Sequence, residues 1–267
     1  MSFNNESGGH WYRAPSGEPF YSIGDRGVTL RDARKIGAVP SVTTVLQVID
    51  KPALTNWLIE QAVLGALTLP KIDGESDAAY IARIKVDGRA GAKAAAEEGT
   101  RIHDAIEKSF AHEGYPLAYN QHVLSTHMEL TRMFPDVKDW ISEKSFAHPL
   151  GYGGKVDLHS PSTGIVVDFK TKDSDLTDGK RLAYDQHIQL AAYQVGLGIT
   201  TYTDWMNGSI VTRKYDHTQC ANIFVSRTHP GCVASHVWSA DDIAKGWRIF
   251  AAALELWREL KQYDPRY

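Results

Sequence analysis

The sequence predicts an α/β protein in which a mixed central sheet is flanked by helices and preceded by a helical N-terminal elaboration. Helical patterns come first, then three short β-branched segments, one crossover helix, two further strand segments and a closing helix. With 267 residues, 43% of them hydrophobic, the chain can bury a full core. We therefore expect one domain, 1–267, divided as follows: an N-terminal arm (1–38), a mainly helical part (39–141), the sheet core (142–239) and a C-terminal helix (240–267).

Helices are expected wherever apolar residues recur with helical spacing. The predicted spans are roughly 42–67, 76–110, 118–141, 184–197 and 240–262. Ser41 or Thr43 is the expected N-cap of the first helix, and Gly88 or Gly91 is expected to break the second. The residues before the first helix are expected to form short strands and turns.

Strands are expected where β-branched and aromatic residues alternate with polar ones. The predicted spans are roughly 143–149, 153–160, 165–171, 221–227 and 233–239. The last two flank a Thr-His-Pro-Gly segment, whose composition predicts a hairpin turn.

Two acidic residues lie on neighbouring predicted strands, Asp157 on the first and Asp168 on the second. Because side chains alternate along a strand, Val156 and Leu158 are expected on one face and Asp157 on the other. Lys170 shares the face of Asp168. A tight turn at the intervening Pro-Ser-Thr-Gly segment sets Asp157 directly opposite Asp168, where like charges repel unless a divalent cation lies between them. The hairpin therefore predicts a metal site with a lysine beside it.

The second predicted helix carries a further candidate metal ligand, His103, since neutral imidazole binds metals well. Gly99, one turn earlier, is expected to clear space above the imidazole ring. Glu107, one turn later on the same face, is a candidate carboxylate behind the ligands. Glu143, at the start of the strand before the hairpin, is a candidate to point at the same site.

The helix after the hairpin offers two uncharged hydrogen-bonding side chains. Gln189 and Tyr193 are four residues apart and therefore share one helical face. Side chains of this kind are suited to holding a phosphate or to orienting Lys170.

The order of these motifs resembles one group of nucleases. Ser-Val-Thr…Trp, Gly-Thr-x-x-His, Gly-x-x-Asp, Asp-x-Lys and Gln-x-x-x-Tyr follow one another over roughly residues 40–195. The ordered set is similar to the RecB-like exonucleases of the PD-(D/E)xK superfamily, in particular the phage-type and mitochondrial genome maintenance exonucleases. Val156 stands where the family pattern has proline, and Asp168 stands where it often has glutamate. The resemblance implies a restriction-endonuclease-like core.

The resemblance also implies roles for individual residues. His103, Asp157 and Asp168 would bind Mg²⁺ or Mn²⁺, one or two ions, together with the Phe169 backbone carbonyl. Lys170 would orient or deprotonate the attacking water. The implied positioning residues, for the phosphate or the lysine, are Gln189 and Tyr193. The implied reaction is exonucleolytic phosphodiester hydrolysis that leaves 5′-phosphate and 3′-hydroxyl ends.

The implied partner is DNA, through single- or double-stranded ends, with a single-strand-binding or annealing protein as a possible companion. The formal net charge of −3 provides no overall basic footprint, so phosphate contacts would have to be local. The candidate contacts are Arg101, Lys172, Lys180 and Arg181.

The hydrophobic pattern and the cysteine count exclude several classes of protein. No apolar run is long enough to cross a bilayer, so an integral membrane protein is not expected. The only cysteines are Cys220 and Cys232, which excludes the four-cysteine iron–sulfur cluster of several relatives. Two cysteines also suit a reducing compartment, and we expect a cytoplasmic protein of a bacterial or phage-infected cell.

Three alternatives stay open at this stage. The chain can be a catalytically silent nucleic-acid-binding module that keeps the fold, or a protein-interaction module that uses the tryptophan-rich C-terminal helix. It can also be a sequence-specific endonuclease of the same superfamily.

Overall fold

The computed structural model describes residues 9–176, 182–204, 209–215 and 219–267. Within these residues the α-helices are α1 (Leu30–Ile36), α2 (Val42–Val45), α3 (Pro52–Thr68), α4 (Asp77–Phe110), α5 (Asn120–Met133), α6 (Gln186–Gly196) and α7 (Ala240–Lys261). The strands are β1 (Trp11–Tyr12), β2 (Pro19–Phe20), β3 (Ser22–Ile23), β4 (Arg26–Gly27), β5 (Val39–Pro40), β6 (Ile141–His148), β7 (Tyr152–His159), β8 (Val166–Lys172), β9 (Thr200–Asp204), β10 (Ser209–Arg213), β11 (Cys220–Ser226) and β12 (Val233–Trp238).

The central sheet has five strands in the order β12-β11-β8-β7-β6. It is mixed, because β8 and β11 run parallel while every other neighbouring pair runs antiparallel. A parallel pair needs a crossover, and the segment that contains α6 supplies it. The predicted α/β class, the mixed sheet and the C-terminal hairpin β11–β12 are thereby confirmed.

Helices cover both faces of the sheet. On one face α6 and α7 pack through Leu190 and Trp247 onto Val166 of β8. On the other face Ile106 of α4 and residues of α5 pack onto Phe169 of β8. None of the helices in the described ranges is both long and apolar enough to cross a bilayer.

The N-terminal arm forms short strands in small sheets, as predicted, but it also contains the helix α1, which the expectation of strands and turns lacked. One of these sheets, in the order β2-β1-β5, lies against the central sheet at β7. Gly153 of β7 permits this contact, since a Cβ atom there would lie 2.9 Å from the ring of Tyr12. The arm therefore borders the same strand that carries Asp157.

The first predicted helix, 42–67, is in fact two helices. Ser41 caps α2, as expected, and its hydroxyl accepts from the Thr44 N–H at 2.9 Å. A short 3₁₀ helix (Leu46–Val48) follows α2, the chain becomes extended at Ile49, and α3 begins only at Pro52. Proline has no N–H to donate and disfavours a helical conformation in Lys51 before it, so it begins a helix rather than continuing one.

Proline also explains why α5 ends at Met133 rather than near residue 141. Pro135 disfavours a helical Phe134, which lies at φ −133° and ψ 66°.

The predicted break in the long second helix is wrong, since α4 runs unbroken through Gly88 and Gly91. The glycine at position 88 serves packing instead. A Cβ atom there would lie 3.3 Å from the Gln61 carbonyl oxygen of α3. A glycine inside a helix costs only about 1 kcal/mol, which such close helix packing can offset.

The expectation that Val156 and Leu158 share one face is also wrong. Val156 packs in the cluster beneath α6 and α7, whereas Leu158 packs in the opposite cluster with Phe169. Glu143, on the facing strand β6, has φ +59°, which interrupts the regular pleat at the level of Asp157. β7 therefore changes faces at the level of Asp157.

Candidate metal centre

The candidate site lies where two strands of the central sheet separate. β7 and β8 pair only through Leu158↔Val167 and His159↔Val166. Beyond these pairs β7 continues with β6, and β8 continues with β11. One further step in the same register sets Asp157 opposite Asp168, as the sequence predicts. In place of another backbone bond, the Phe169 N–H donates to Asp157 Oδ2 at 2.8 Å.

We call the gap between the separating strands β7 and β8 the fork. Helix α4 brings two side chains into the fork from one face of the sheet. Ligand atoms of His103, Glu107 and Asp157 lie within 4.8 Å of one another, and all three side chains are half-buried. His103 Nδ1 is 3.9 Å from Asp157 Oδ2. The structure thus groups two of the predicted ligands with Glu107, which the sequence places only behind them.

The electrostatics of this group fit a cation. Burial and the Asp168 carboxylate raise the pKa of Asp157 to about 7. Burial and the Glu143 and Asp157 carboxylates raise the pKa of Glu107 to about 9. Burial and neighbouring carboxylates thus both disfavour the ionised forms of these groups, and a hard divalent cation would stabilise those forms.

The histidine has the protonation state that a metal ligand needs. Burial lowers the pKa of His103 to about 4, so the imidazole is neutral at physiological pH. Its ring lies edge-on to Phe169, with centroids 6.2 Å apart. The donor set of one imidazole and two carboxylates therefore fits a divalent metal cation.

Gly99 does allow a close approach, although not the expected one. A Cβ atom there would lie 2.6 Å from Thr171 Oγ1 of β8, so glycine lets α4 lie directly on that strand. The contact involves Thr171 rather than the imidazole ring.

Asp168 and Lys170 lie beside this group. The Asp168 side chain is only 1% exposed, and Lys170 Nζ donates to it at 2.8 Å. Burial disfavours the charge of Lys170, but Asp168 and Asp157 outweigh burial and raise the Lys170 pKa above its ordinary value. Lys170 is therefore a cation held among carboxylates.

Helix α6 reaches the same lysine from the other face of the sheet. Lys170 Nζ donates to Gln189 Oε1 at 3.4 Å, and Gln189 Nε2 donates to the Tyr193 hydroxyl at 2.7 Å. Burial and the Asp157 and Asp168 carboxylates raise the Tyr193 pKa well above its usual range, so the phenol stays neutral. Among the two roles that the sequence leaves open for this pair, the contacts match the orientation of Lys170.

A second ion pair borders the group on the side of the N-terminal arm. Glu143 of β6 contacts Lys155 of β7. The hydroxyl groups of Tyr12 and Tyr21 in the arm share a hydrogen bond of 2.7 Å beside this ion pair. Sequence reasoning missed Lys155, although its position two residues before Asp157 on the same strand is a usable signal.

The predicted nucleic-acid contacts are spread along the chain. Arg101 is exposed and pairs with Glu98 at 2.7 Å on its own helix. Lys172 Nζ lies 5.8 Å from the ring centroid of Phe224. Lys180 and Arg181 lie outside the described residues. Contact with DNA stays a prediction for all four, as does metal binding by the Phe169 carbonyl.

Comparisons with known proteins provide no family. No family model matches the chain, and no curated protein matches it. Among solved structures, the crystal structure of SSO0001 is similar with a TM-score of 0.34 and 14% identity, over 80% of this chain and 89% of that chain. A likeness at this level carries no argument, so functional conclusions rest on the geometry of the fork.

Proposed function

We propose that the chain is a metal-dependent DNA exonuclease with a restriction-endonuclease-like core. The observation that carries the proposal is the fork between β7 and β8. Carboxylates, a neutral imidazole and a half-buried lysine meet there from three elements. Buried like charges are costly to a fold, and their collection around one cleft favours catalysis over stability.

His103, Glu107 and Asp157 would hold the cation, with Asp168 and the Phe169 carbonyl as the further ligands that the motif order implies. When bound, Mg²⁺ or Mn²⁺ supplies Lewis-acid chemistry that polarises a phosphate and makes water a better nucleophile.

Lys170 is the proposed catalytic residue. Its raised pKa keeps it protonated at neutral pH in the metal-free protein. We therefore assign it the role of a donor that orients the attacking water or the scissile phosphate, rather than that of a base. Gln189 accepts one N–H of Lys170 and is itself fixed by Tyr193, so the ammonium group is aimed into the fork.

The proposed substrate is the end of a DNA strand, with a single-strand-binding or annealing protein as a possible partner in the cytoplasm. The overall charge of −3 does not favour non-specific DNA binding. Recognition would then depend on the site itself and on bound metal, which offsets the local carboxylates.

The test is cleavage of end-labelled linear DNA beside a closed circular control, in Mg²⁺, Mn²⁺ or EDTA. The proteins compared are the wild type, Lys170→Ala and the control Lys144→Ala, which removes an exposed lysine from strand β6 of the same sheet. We expect metal-dependent shortening of linear DNA only. Cleavage should fall by at least roughly 10²-fold in Lys170→Ala and by far less in Lys144→Ala.

The label reveals the polarity of the exonuclease. Discrete products from circular DNA would instead identify an endonuclease of the same superfamily. DNA binding without cleavage in any metal would identify a silent binding module, and unchanged turnover of Lys170→Ala would refute the role of the lysine.

A further inference from the structure

The central sheet contains a buried amide that contacts Asp168. Asn222 lies on β11, directly opposite Asp168 of β8 in the parallel register, and is fully buried. Its Nδ2 donates to Asp168 Oδ2 at 2.6 Å and to the Asp168 carbonyl oxygen at 3.1 Å. One side chain therefore contacts both the carboxylate and the backbone of a proposed metal ligand.

A tryptophan on the next strand fixes the orientation of this amide. Trp238 of β12 donates its indole N–H to Asn222 Oδ1 at 2.7 Å. An indole nitrogen donates and never accepts, so the oxygen of Asn222 must face Trp238. The NH₂ group must then face Asp168. A rotated amide would leave the indole N–H buried without an acceptor, which is unfavourable.

Lys170 and Asn222 together hold the carboxylate from two sides. Lys170 lies 2.8 Å from Asp168, and Asn222 lies 2.6 Å from its Oδ2. The two differ in one respect that matters for a cation, because Asn222 donates a hydrogen bond without adding charge. An amide can therefore orient a carboxylate without repelling a bound divalent ion.

We propose that Asn222 is a positioning residue for Asp168 and that Trp238 keeps it in the working orientation. The inference rests on the proposed function, since it assumes that Asp168 serves a divalent cation. Trp238 lies at the outer strand β12, so the ordering of the site extends across three strands from β12 to β8.

Trp238→Phe tests this role, with Trp257→Phe as the matched control. Both tryptophans are buried, but Trp257 Nε1 has no hydrogen-bond partner among the described residues. Both substitutions remove the same atoms from the core, and only the first frees the Asn222 amide. The measurements are the Mn²⁺ dissociation constant of the full chain, by electron paramagnetic resonance of free Mn²⁺, and the melting temperature in EDTA.

We expect Trp238→Phe to weaken Mn²⁺ binding about 10-fold and Trp257→Phe to leave it within about twofold, because outer partners of metal ligands typically contribute about 10- to 100-fold. The melting temperatures of both variants should fall, which separates the metal effect from a merely structural one. Excess Mn²⁺ should restore turnover in Trp238→Phe. Asn222→Ala, measured in the same way, decides the question if Trp238→Phe does not fold.

Wild-type Mn²⁺ affinity in the folded variants would overturn the positioning role while leaving the nuclease proposal intact. A wild type that binds Mn²⁺ and cleaves no DNA would overturn the nuclease proposal, and the affinity comparison would still decide the role of Asn222. A wild type that binds no Mn²⁺ would overturn both.

Discussion

Glu107→Gln is the substitution that most directly tests the charge balance of the fork. Burial, Glu143 and Asp157 raise the pKa of Glu107 from 4.5 to about 9. Between these values the folded protein keeps a proton that the unfolded chain has lost, so stability falls as pH rises through this window and returns on acidification. Glutamine is neutral throughout. We therefore expect the variant to be the more stable protein at alkaline pH, in the absence of metal.

The magnitude follows from the same shift. One proton held across one pH unit corresponds to about 1.4 kcal/mol, but Glu107 is only half-buried and solvent screening reduces this considerably. We expect a gain of roughly 2 kcal/mol in the free energy of unfolding at pH 8.5, or about 4 °C in melting temperature for a chain of this size. Below about pH 4.5 the difference should vanish, since the glutamate of the unfolded chain is then protonated as well.

The assay is thermal unfolding in EDTA at pH 5 and pH 8.5, with Glu97→Gln as the control. Glu97 is an exposed glutamate on the same helix, so its replacement should change stability little at either pH. Mn²⁺ should then reverse the order at pH 8.5, because the wild type retains a ligand that glutamine lacks. A variant that is no more stable than the wild type at pH 8.5 in EDTA would refute the reasoning.

Four further substitutions have separate expected outcomes. Asp157→Asn should weaken Mn²⁺ binding and lower cleavage, each by roughly 10-fold or more. Metal titration measures the first effect, and turnover at saturating metal measures the second. Wild-type Mn²⁺ affinity in this variant would contradict the role of Asp157 as a metal ligand. Gln189→Leu should lower turnover by roughly 10-fold or more, with Mn²⁺ affinity unchanged. Tyr193→Phe keeps the glutamine and should therefore lower turnover less. Equal losses of turnover in the two variants would contradict the proposal that Tyr193 acts on Lys170 through Gln189. Gly246→Ala should lower the melting temperature without changing Mn²⁺ affinity. Its Cβ atom would lie 2.5 Å from the His187 carbonyl oxygen, and overpacking of this kind costs about 1–3 kcal/mol. An unchanged melting temperature would contradict the packing of α6 on α7.

Side-chain periodicity and turn length predict those parts of the fold that depend on residues close together in the chain. The alternation of side chains and a four-residue turn are enough to predict Asp157 opposite Asp168, and in the structure the last ladder pair, Leu158↔Val167, directly precedes that position. Helical spacing alone likewise sets Gln189 and Tyr193 on one face, where they form a hydrogen bond. Both features depend on residues that are close together in the chain.

The errors arise where distant segments meet. Gly88 was expected to break a helix, but its missing side chain instead makes room for the α3 backbone that packs against it. Asn222 carries no local signal of its own, since its role exists only because β11 lies beside β8 in one parallel register. The φ of +59° at Glu143 is similarly invisible in the sequence, because glutamate rarely adopts it without tertiary support.

The departures from regular sheet geometry share one location, and this has a physical reason. A continuous β7–β8 ladder would fill the space between the strands with backbone hydrogen bonds and leave no room for an ion or a phosphate. Here the ladder stops after two pairs, and the Asp157 side chain accepts the Phe169 N–H that a backbone carbonyl would otherwise take. β7 changes faces at the same level, where Glu143 of β6 has a positive φ. The site is therefore made by ending a strand pair early, and the side chain that accepts the next N–H belongs to Asp157, a carboxylate that we propose to bind the metal.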